Sequence, residues 1–276
     1  MSMEWVMNEG KVPGPMKSKD FGLSRAREAQ AFHASLPGYA PTPLVRLDGL
    51  AKRLGVGRIY VKDESFRFGL NAFKALGGSY AMHRYMASHS HEDRPTFVTA
   101  TDGNHGRGVA WAAGRMGCPA HVYMPEGTAA ERLENIRLLG ADARILPMSY
   151  DDCVRHAARQ AEENGWVLLQ DTAWDGYRDI PMDIMAGYTT MALEIAEQLQ
   201  DGMPTHIFLQ AGVGSMAAAV AAFFCDISMG ARPRFIVVEP THADCFYQTA
   251  LHRDGRLHDA QGPLDSMMAG LCCGEP

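Results

Sequence analysis

The 276-residue chain lacks any apolar stretch near the roughly 20 residues that a bilayer-crossing helix needs. Its most apolar run, residues 211–224, is shorter than that and reads as a core helix. Long runs of one charge are also missing. The 26 Lys and Arg against 32 Asp and Glu give a formal charge of −6, and nothing resembles the basic face that nucleic acid requires. The cysteines, Cys118, Cys153, Cys225, Cys245, Cys272 and Cys273, form no repeated CxxC pairs with zinc-finger spacing. In a chain of this size they point to a reducing compartment rather than to a disulfide framework. Residues 1–21 are polar, broken by Gly10, Pro13, Gly14 and Pro15, and hold no apolar core of signal-peptide type. No short repeat or low-complexity segment is evident. These absences leave a mildly acidic, cytoplasmic enzyme or binding protein as the expectation, with no membrane and no nucleic-acid partner.

What is present is a chain 46% hydrophobic, enough for a sizeable core in one or two domains. Short β-branched or apolar runs, at 58–62, 96–99, 120–124, 143–146, 167–170, 206–210 and 235–238, alternate with helical patterns. The helical patterns cover 73–86, 106–116, 129–139, 152–164, 185–199, 215–227 and 243–251. Alternation of this kind predicts an α/β fold with mainly parallel sheets covered by helices. Residues 87–93, rich in His, Ser and charge, read as a surface connection. His83, His89 and His91 lie in or near it without cysteine or helical spacing, so no metal is expected.

Three segments carry chemistry. In Phe68-Gly69-Leu70-Asn71-Ala72-Phe73-Lys74, the lysine sits among apolar residues where a helix begins. A helix N-terminus and apolar surroundings both disfavour the ammonium and favour the neutral amine that forms imines. The same pattern also fits a lysine snorkelling from an amphipathic helix. Thr101-Asp102-Gly103-Asn104-His105-Gly106 follows a strand and opens a helix; its glycines admit a ligand to the backbone, while Asp102 alone also fits an ordinary cap. Gln210-Ala211-Gly212-Val213-Gly214-Ser215 lies before another helix, where successive N–H groups make an anion site. It has neither the ending of a P-loop nor the full dinucleotide fingerprint.

An imine-forming lysine, an asparagine loop and a phosphate cradle are together what pyridoxal 5'-phosphate requires. The chain resembles the β-family, or fold type II, of pyridoxal-phosphate enzymes. The resemblance rests on Tyr39-Ala40-Pro41-Thr42-Pro43-Leu44, on Lys62-Asp63-Glu64 followed by the lysine segment, and on Gly103-Asn104-His105. Within that family it is similar to the diaminopropionate ammonia-lyases, through the aspartate-bearing loop at Asp102, Gln170-Asp171-Thr172-Ala173-Trp174, and Gly270-Leu271-Cys272-Cys273-Gly274-Glu275-Pro276. The resemblance implies that Lys74 holds the cofactor as a Schiff base and that Asn104 bonds its phenolic oxygen. It implies that Gly212, Val213, Gly214 and Ser215 hold its phosphate. It assigns Asp102 to the D-isomer and Asp171 to the L-isomer of 2,3-diaminopropionate, with pyruvate and ammonia as products.

The implied architecture is two α/β domains with the cofactor cleft between them. Residues 81–188 would form the smaller, and 1–80 with 189–276 the larger, discontinuous one. A homodimer is implied as well. Members of the family continue beyond the segment that ends here at Pro276, where later residues complete the larger domain and supply a hydroxyl or thiol at the pyridine nitrogen. The expectation is therefore a C-terminally short chain. Its alternatives are a serine/threonine dehydratase and a non-catalytic fragment that binds the cofactor.

Overall fold

The computed structural model describes residues 4–8, 18–89, 94–230 and 232–276. The broken segment at Gly10–Pro15 and His91 of the surface connection lie outside the described residues. The centre is a parallel sheet ordered β5-β4-β3-β6, made of β3 (Phe97–Ala100), β4 (Ala120–Met124), β5 (Asp142–Ile145) and β6 (Val167–Leu168). Helices α4 (Asn104–Met116), α5 (Ala130–Arg137) and α6 (Tyr150–Asn164) connect these strands in turn. All four residues of β3 are buried, as befits a central strand covered on both faces. One face packs Phe97 and Val122 with Val109, Ala113 and Ile136 of α4 and α5. The other packs Val98, Ala100, Tyr123 and Leu168 against Cys153, Ala157 and Ala161, which recur every fourth residue along α6.

Strand order decides where a ligand fits. The chain moves outward from β3 to β4 and β5, then returns to pair β6 on the other side of β3. The C-terminal ends of β3 and β6 are therefore neighbours, at the point where the strand order reverses and a crevice forms. Residues 101–104 and 169–172 emerge there.

A second parallel pair, β7 (His206–Gln210) and β8 (Arg234–Val238), is connected through α8 (Ser215–Ile227). Met216, Ala219, Val220, Phe223 and Phe224 are the buried stripe of α8, at helical spacing. Phe208, Val237 and Val238 of this sheet are exposed. Helix α3 (Lys74–Ser88) packs against α4 and against α7 (Asp179–Gln198), with α1 (Leu23–Ala34) beside α7. The strands expected at 120–124 and 206–210 and the helix at 215–227 have those bounds. No described helix is long and apolar enough to cross a membrane.

Several expectations need correction. Helix α1 and α2 (Asp48–Leu54) have no counterpart in the sequence reading. The buried face of α1 is Ala26, Ala29 and His33, too small and polar to stand out as an apolar stripe. The run at 58–62 narrows to β2 (Tyr60–Lys62) and pairs antiparallel with an unanticipated β1 (Leu44–Arg46). Strand β6 stops at Leu168, because the Gln170 side chain takes over the next bonds: its Oε1 accepts from the Ala100 N–H at 3.1 Å. Of the three histidines, His83 stacks on Phe32 and His89 on Tyr85.

A buried charge network ties the N-terminal segment to α7. Arg67 grips Glu194 with both terminal nitrogens, at 2.9 and 2.8 Å, and reaches Glu64 at 2.7 Å. Lys62 lies 2.7 Å from Glu194, and the Tyr39 hydroxyl donates to Glu194 at 2.9 Å. Burial opposes the Glu194 charge, but bonds from Arg67 and Lys62 hold its pKa below the usual value. Glu194→Gln should leave two buried cations under-compensated and cost about 3–5 kcal/mol. Urea denaturation checks this; a loss under about 1 kcal/mol would contradict the network's role.

Candidate active site

The lysine segment is set by backbone geometry. Phe68 and Asn71 both take left-handed φ values, of 50° and 53°. Asparagine tolerates this conformation, whereas phenylalanine needs tertiary support. Phe68 finds it by packing on Trp111, with ring centroids 4.5 Å apart. Lys74 then opens α3. Gly108 lets α4 cross here, since a Cβ at that position would lie 2.8 Å from the Ala75 nitrogen.

Lys74, Asp102, Asn104 and Asp171 all line one cavity of about 680 Å³. Gly212, Val213, Gly214 and Ser215 line it from the other side of the sequence. Asp102 follows β3 and Asp171 follows β6, so the crevice between neighbouring strands brings both carboxylates to the lysine. Asn104 is the first residue of α4. The Gly212–Ser215 turn ends at the N-terminus of α8, with Gly214 at φ 84°. That turn offers backbone N–H groups and a helix dipole to an anion without an intervening side chain.

The electrostatics overturn one expectation. Lys74 is ion-paired with Asp171. Burial works against the ammonium, but the adjacent Asp171 carboxylate raises the lysine well above its ordinary pKa. The segment's own bias toward a neutral amine is thus outweighed by a partner 97 residues away. Burial also opposes charge on Asp171, yet the paired Lys74 ammonium holds that carboxyl down at about 2. Asp102 goes the other way. Burial pushes its pKa up, against the pull of Arg132, whose Nη1 donates to the Asp102 carbonyl at 2.9 Å and lies 3.4 Å from its carboxylate.

Other residues in the cleft escaped the sequence reading. His105 donates from Nε2 to the Leu169 carbonyl at 2.8 Å, so its Nδ1 carries a lone pair. That nitrogen is buried without a hydrogen bond, 3.8 Å from Asp171. Burial lowers the His105 pKa, which keeps the ring neutral. Cys273 lies against Gly212, and burial, with Asp171 next, pushes its thiol up to about 12. Tyr150 opens α6 beside Ser149, whose hydroxyl caps the helix. His105 and Cys273 belong to segments quoted for the resemblance, but Arg132 and Tyr150 carry no local signal.

The model for the family of pyridoxal-phosphate dependent enzymes matches residues 35–276. The chain belongs to this family. It is 51% identical over 271 residues to a diaminopropionate ammonia-lyase of Salmonella typhimurium, covering 90% of this chain and 67% of that enzyme. A crystal structure of the Escherichia coli diaminopropionate ammonia-lyase, in complex with an aminoacrylate-PLP azomethine reaction intermediate, superposes with a TM-score of 0.90 at 46% identity. That match covers 98% of this chain and 70% of the crystallised one. A biosynthetic L-threonine dehydratase of Escherichia coli is 31% identical over 231 residues, 83% of this chain and 40% of the dehydratase. The fold is therefore type II, and the cofactor of the family is pyridoxal phosphate. The cavity fits it: the Lys74 amine and the Gly212–Ser215 turn at the N-terminus of α8 line the same space.

Two outcomes follow. Lys74→Ala should abolish the visible absorbance of the lysine-bound cofactor while the protein stays folded by circular dichroism; a retained band would contradict the role given to Lys74. The Lys74–Asp171 pair also makes stability depend on pH. With Asp171 held at about 2, against roughly 3.9 when unfolded, its contribution is present above pH ~4 and is lost as pH falls toward 2. The difference in melting temperature between cofactor-free wild type and Asp171→Asn should shrink across that window.

Proposed function

We propose that this chain is an ammonia-lyase that eliminates the β-amino group of 2,3-diaminopropionate, with pyruvate and two molecules of ammonia as products after addition of water. The observation that carries this reading is two carboxylates, Asp102 and Asp171, lining one cavity with Lys74 while their environments push their pKa values apart. Opposed shifts of this kind separate the group that is ready to take a proton from the one that is readier to hold it. A substrate with two ammonium groups also matches a cavity with two carboxylates better than a hydroxy-amino acid does.

Bound pyridoxal phosphate would supply the electron sink for charge developing at Cα. Lys74 would hold it through its side-chain amine. The N–H groups and hydroxyl of Gly212, Val213, Gly214 and Ser215 would hold its phosphate, and Asn104 would bond its phenolic oxygen. Asp171 takes the Cα proton of the L-isomer and Asp102 that of the D-isomer, as the family resemblance implies. Whichever carboxyl is protonated can pass that proton to the departing amine. Arg132 steadies Asp102 from the rim of the cavity.

Residues 81–188 form the smaller domain in this reading, which is supported by the placement of the whole four-stranded sheet within residues 97–168. We also place the protein in the cytoplasm as a homodimer, on the strength of the family and of a chain whose described cysteines are all free thiols. Sedimentation of the cofactor-loaded protein tests the dimer.

Pyruvate release from D- and L-2,3-diaminopropionate and from serine tests the reaction. Turnover of both diaminopropionate isomers is expected, and pyruvate from serine alone would favour a dehydratase. A bound cofactor without any turnover would favour a non-catalytic binding role. Asp102→Asn should lower kcat/KM for the D-isomer at least tenfold more than for the L-isomer; equal loss would contradict the two-base assignment.

A further inference from the structure

Tyr150 has a hydrogen bond whose direction can be deduced. The Ala100 backbone N–H can only donate, and it meets Gln170 Oε1 at 3.1 Å. The Thr99 hydroxyl meets the same oxygen at 3.1 Å. These contacts fix the orientation of the Gln170 amide, which is fully buried, and leave Nε2 as its donor end. That nitrogen lies 3.1 Å from the Tyr150 oxygen. The phenol oxygen therefore accepts, and its own proton is not used in this contact. Among the described residues the Tyr150 hydroxyl makes no other hydrogen bond, and Tyr150 lines the cavity together with Lys74, Asp102 and Asp171.

We propose that Tyr150 is a specificity residue that donates its free phenolic proton to the carboxylate of the amino-acid substrate. The inference rests on reading the cavity as an amino-acid site. Of the cations that line the cavity, Lys74 is paired with Asp171 and Arg132 is bound to Asp102, while the two carboxylates suit ammonium groups. An α-carboxylate entering the same space takes several donors, and Tyr150 offers one whose proton is uncommitted. Burial, followed by the charge of Asp171, raises the phenol well above its usual range, so it remains a donor and does not serve as a base. Tyr150 is the first residue of α6, next to Ser149, which caps the helix by accepting from the Asp152 N–H at 3.2 Å.

The test uses cofactor-loaded protein and two amines that cannot lose a β-substituent. Alanine carries the carboxylate; ethylamine is the same skeleton without it. Binding of each is followed by the change in visible absorbance of the bound cofactor. Tyr150→Phe should weaken alanine about tenfold or more, the range for a hydrogen bond to a charged group, and leave ethylamine unchanged. KM for 2,3-diaminopropionate should rise by a similar factor while kcat stays within about threefold. Gln170→Glu should give the same selective loss with the phenol intact, since a carboxylate would accept the proton and draw it from the cavity. Equal weakening of alanine and ethylamine, or a fall in kcat at constant KM, would overturn the proposal. If wild type binds alanine yet releases no pyruvate from diaminopropionate, the lyase reading fails, while the alanine–ethylamine comparison still decides the role of Tyr150.

Discussion

The bidentate grip of Arg67 on Glu194 is the constraint around which the first part of the chain is arranged. Both groups are almost wholly buried, and neither charge is tolerable there alone. Glu194 belongs to α7 and Arg67, with its partner Glu64, to the kinked turn before Lys74; Tyr39 and Lys62 add bonds to Glu194, and Thr42 bonds both members of the pair. Satisfying this cluster fixes where the chain stands seven residues before the lysine. The left-handed turn at Phe68 and Asn71 and the close crossing at Gly108 then leave α3 with a defined starting point.

The parallel sheet supplies the rest of the cleft. Because β6 returns beside β3, the residues that follow those two strands share one edge. Asp102 and Asp171 are neighbours for that topological reason. Gln170 has two functions at this edge: it ends β6 by replacing a ladder bond, and it directs Nε2 toward Tyr150. A side chain that caps a strand thereby governs the hydrogen-bonding direction of a group in the cavity.

Much of the fold was legible where a local signal was strong. The strand at Ala120–Met124 and the helix at Ser215–Ile227 followed from buried runs of suitable period. Helix α1 was not legible, because Ala26, Ala29 and His33 are buried by fit rather than by apolar bulk, with His33 paired to Thr190 and the Leu76 carbonyl. Strand β1 was missed because three residues carry no period. The motif glycines were legible as places where backbone approaches a ligand, since only a missing side chain permits it.

The sequence by itself determined the chemistry on offer: an amine at Lys74, carboxylates at Asp102 and Asp171, and a turn of small residues before an apolar helix. Residue type and nearest neighbours suffice for that, and the family resemblance follows from the same local strings. Only the tertiary structure decided the protonation of those groups. Lys74 reads as a neutral amine from its own segment and as an ammonium once Asp171 stands beside it, because a charge at contact distance outweighs a helix terminus and partial desolvation. The same holds for Arg132 at Asp102 and for the free proton of Tyr150, whose partners lie tens of residues away and meet only when the sheet closes.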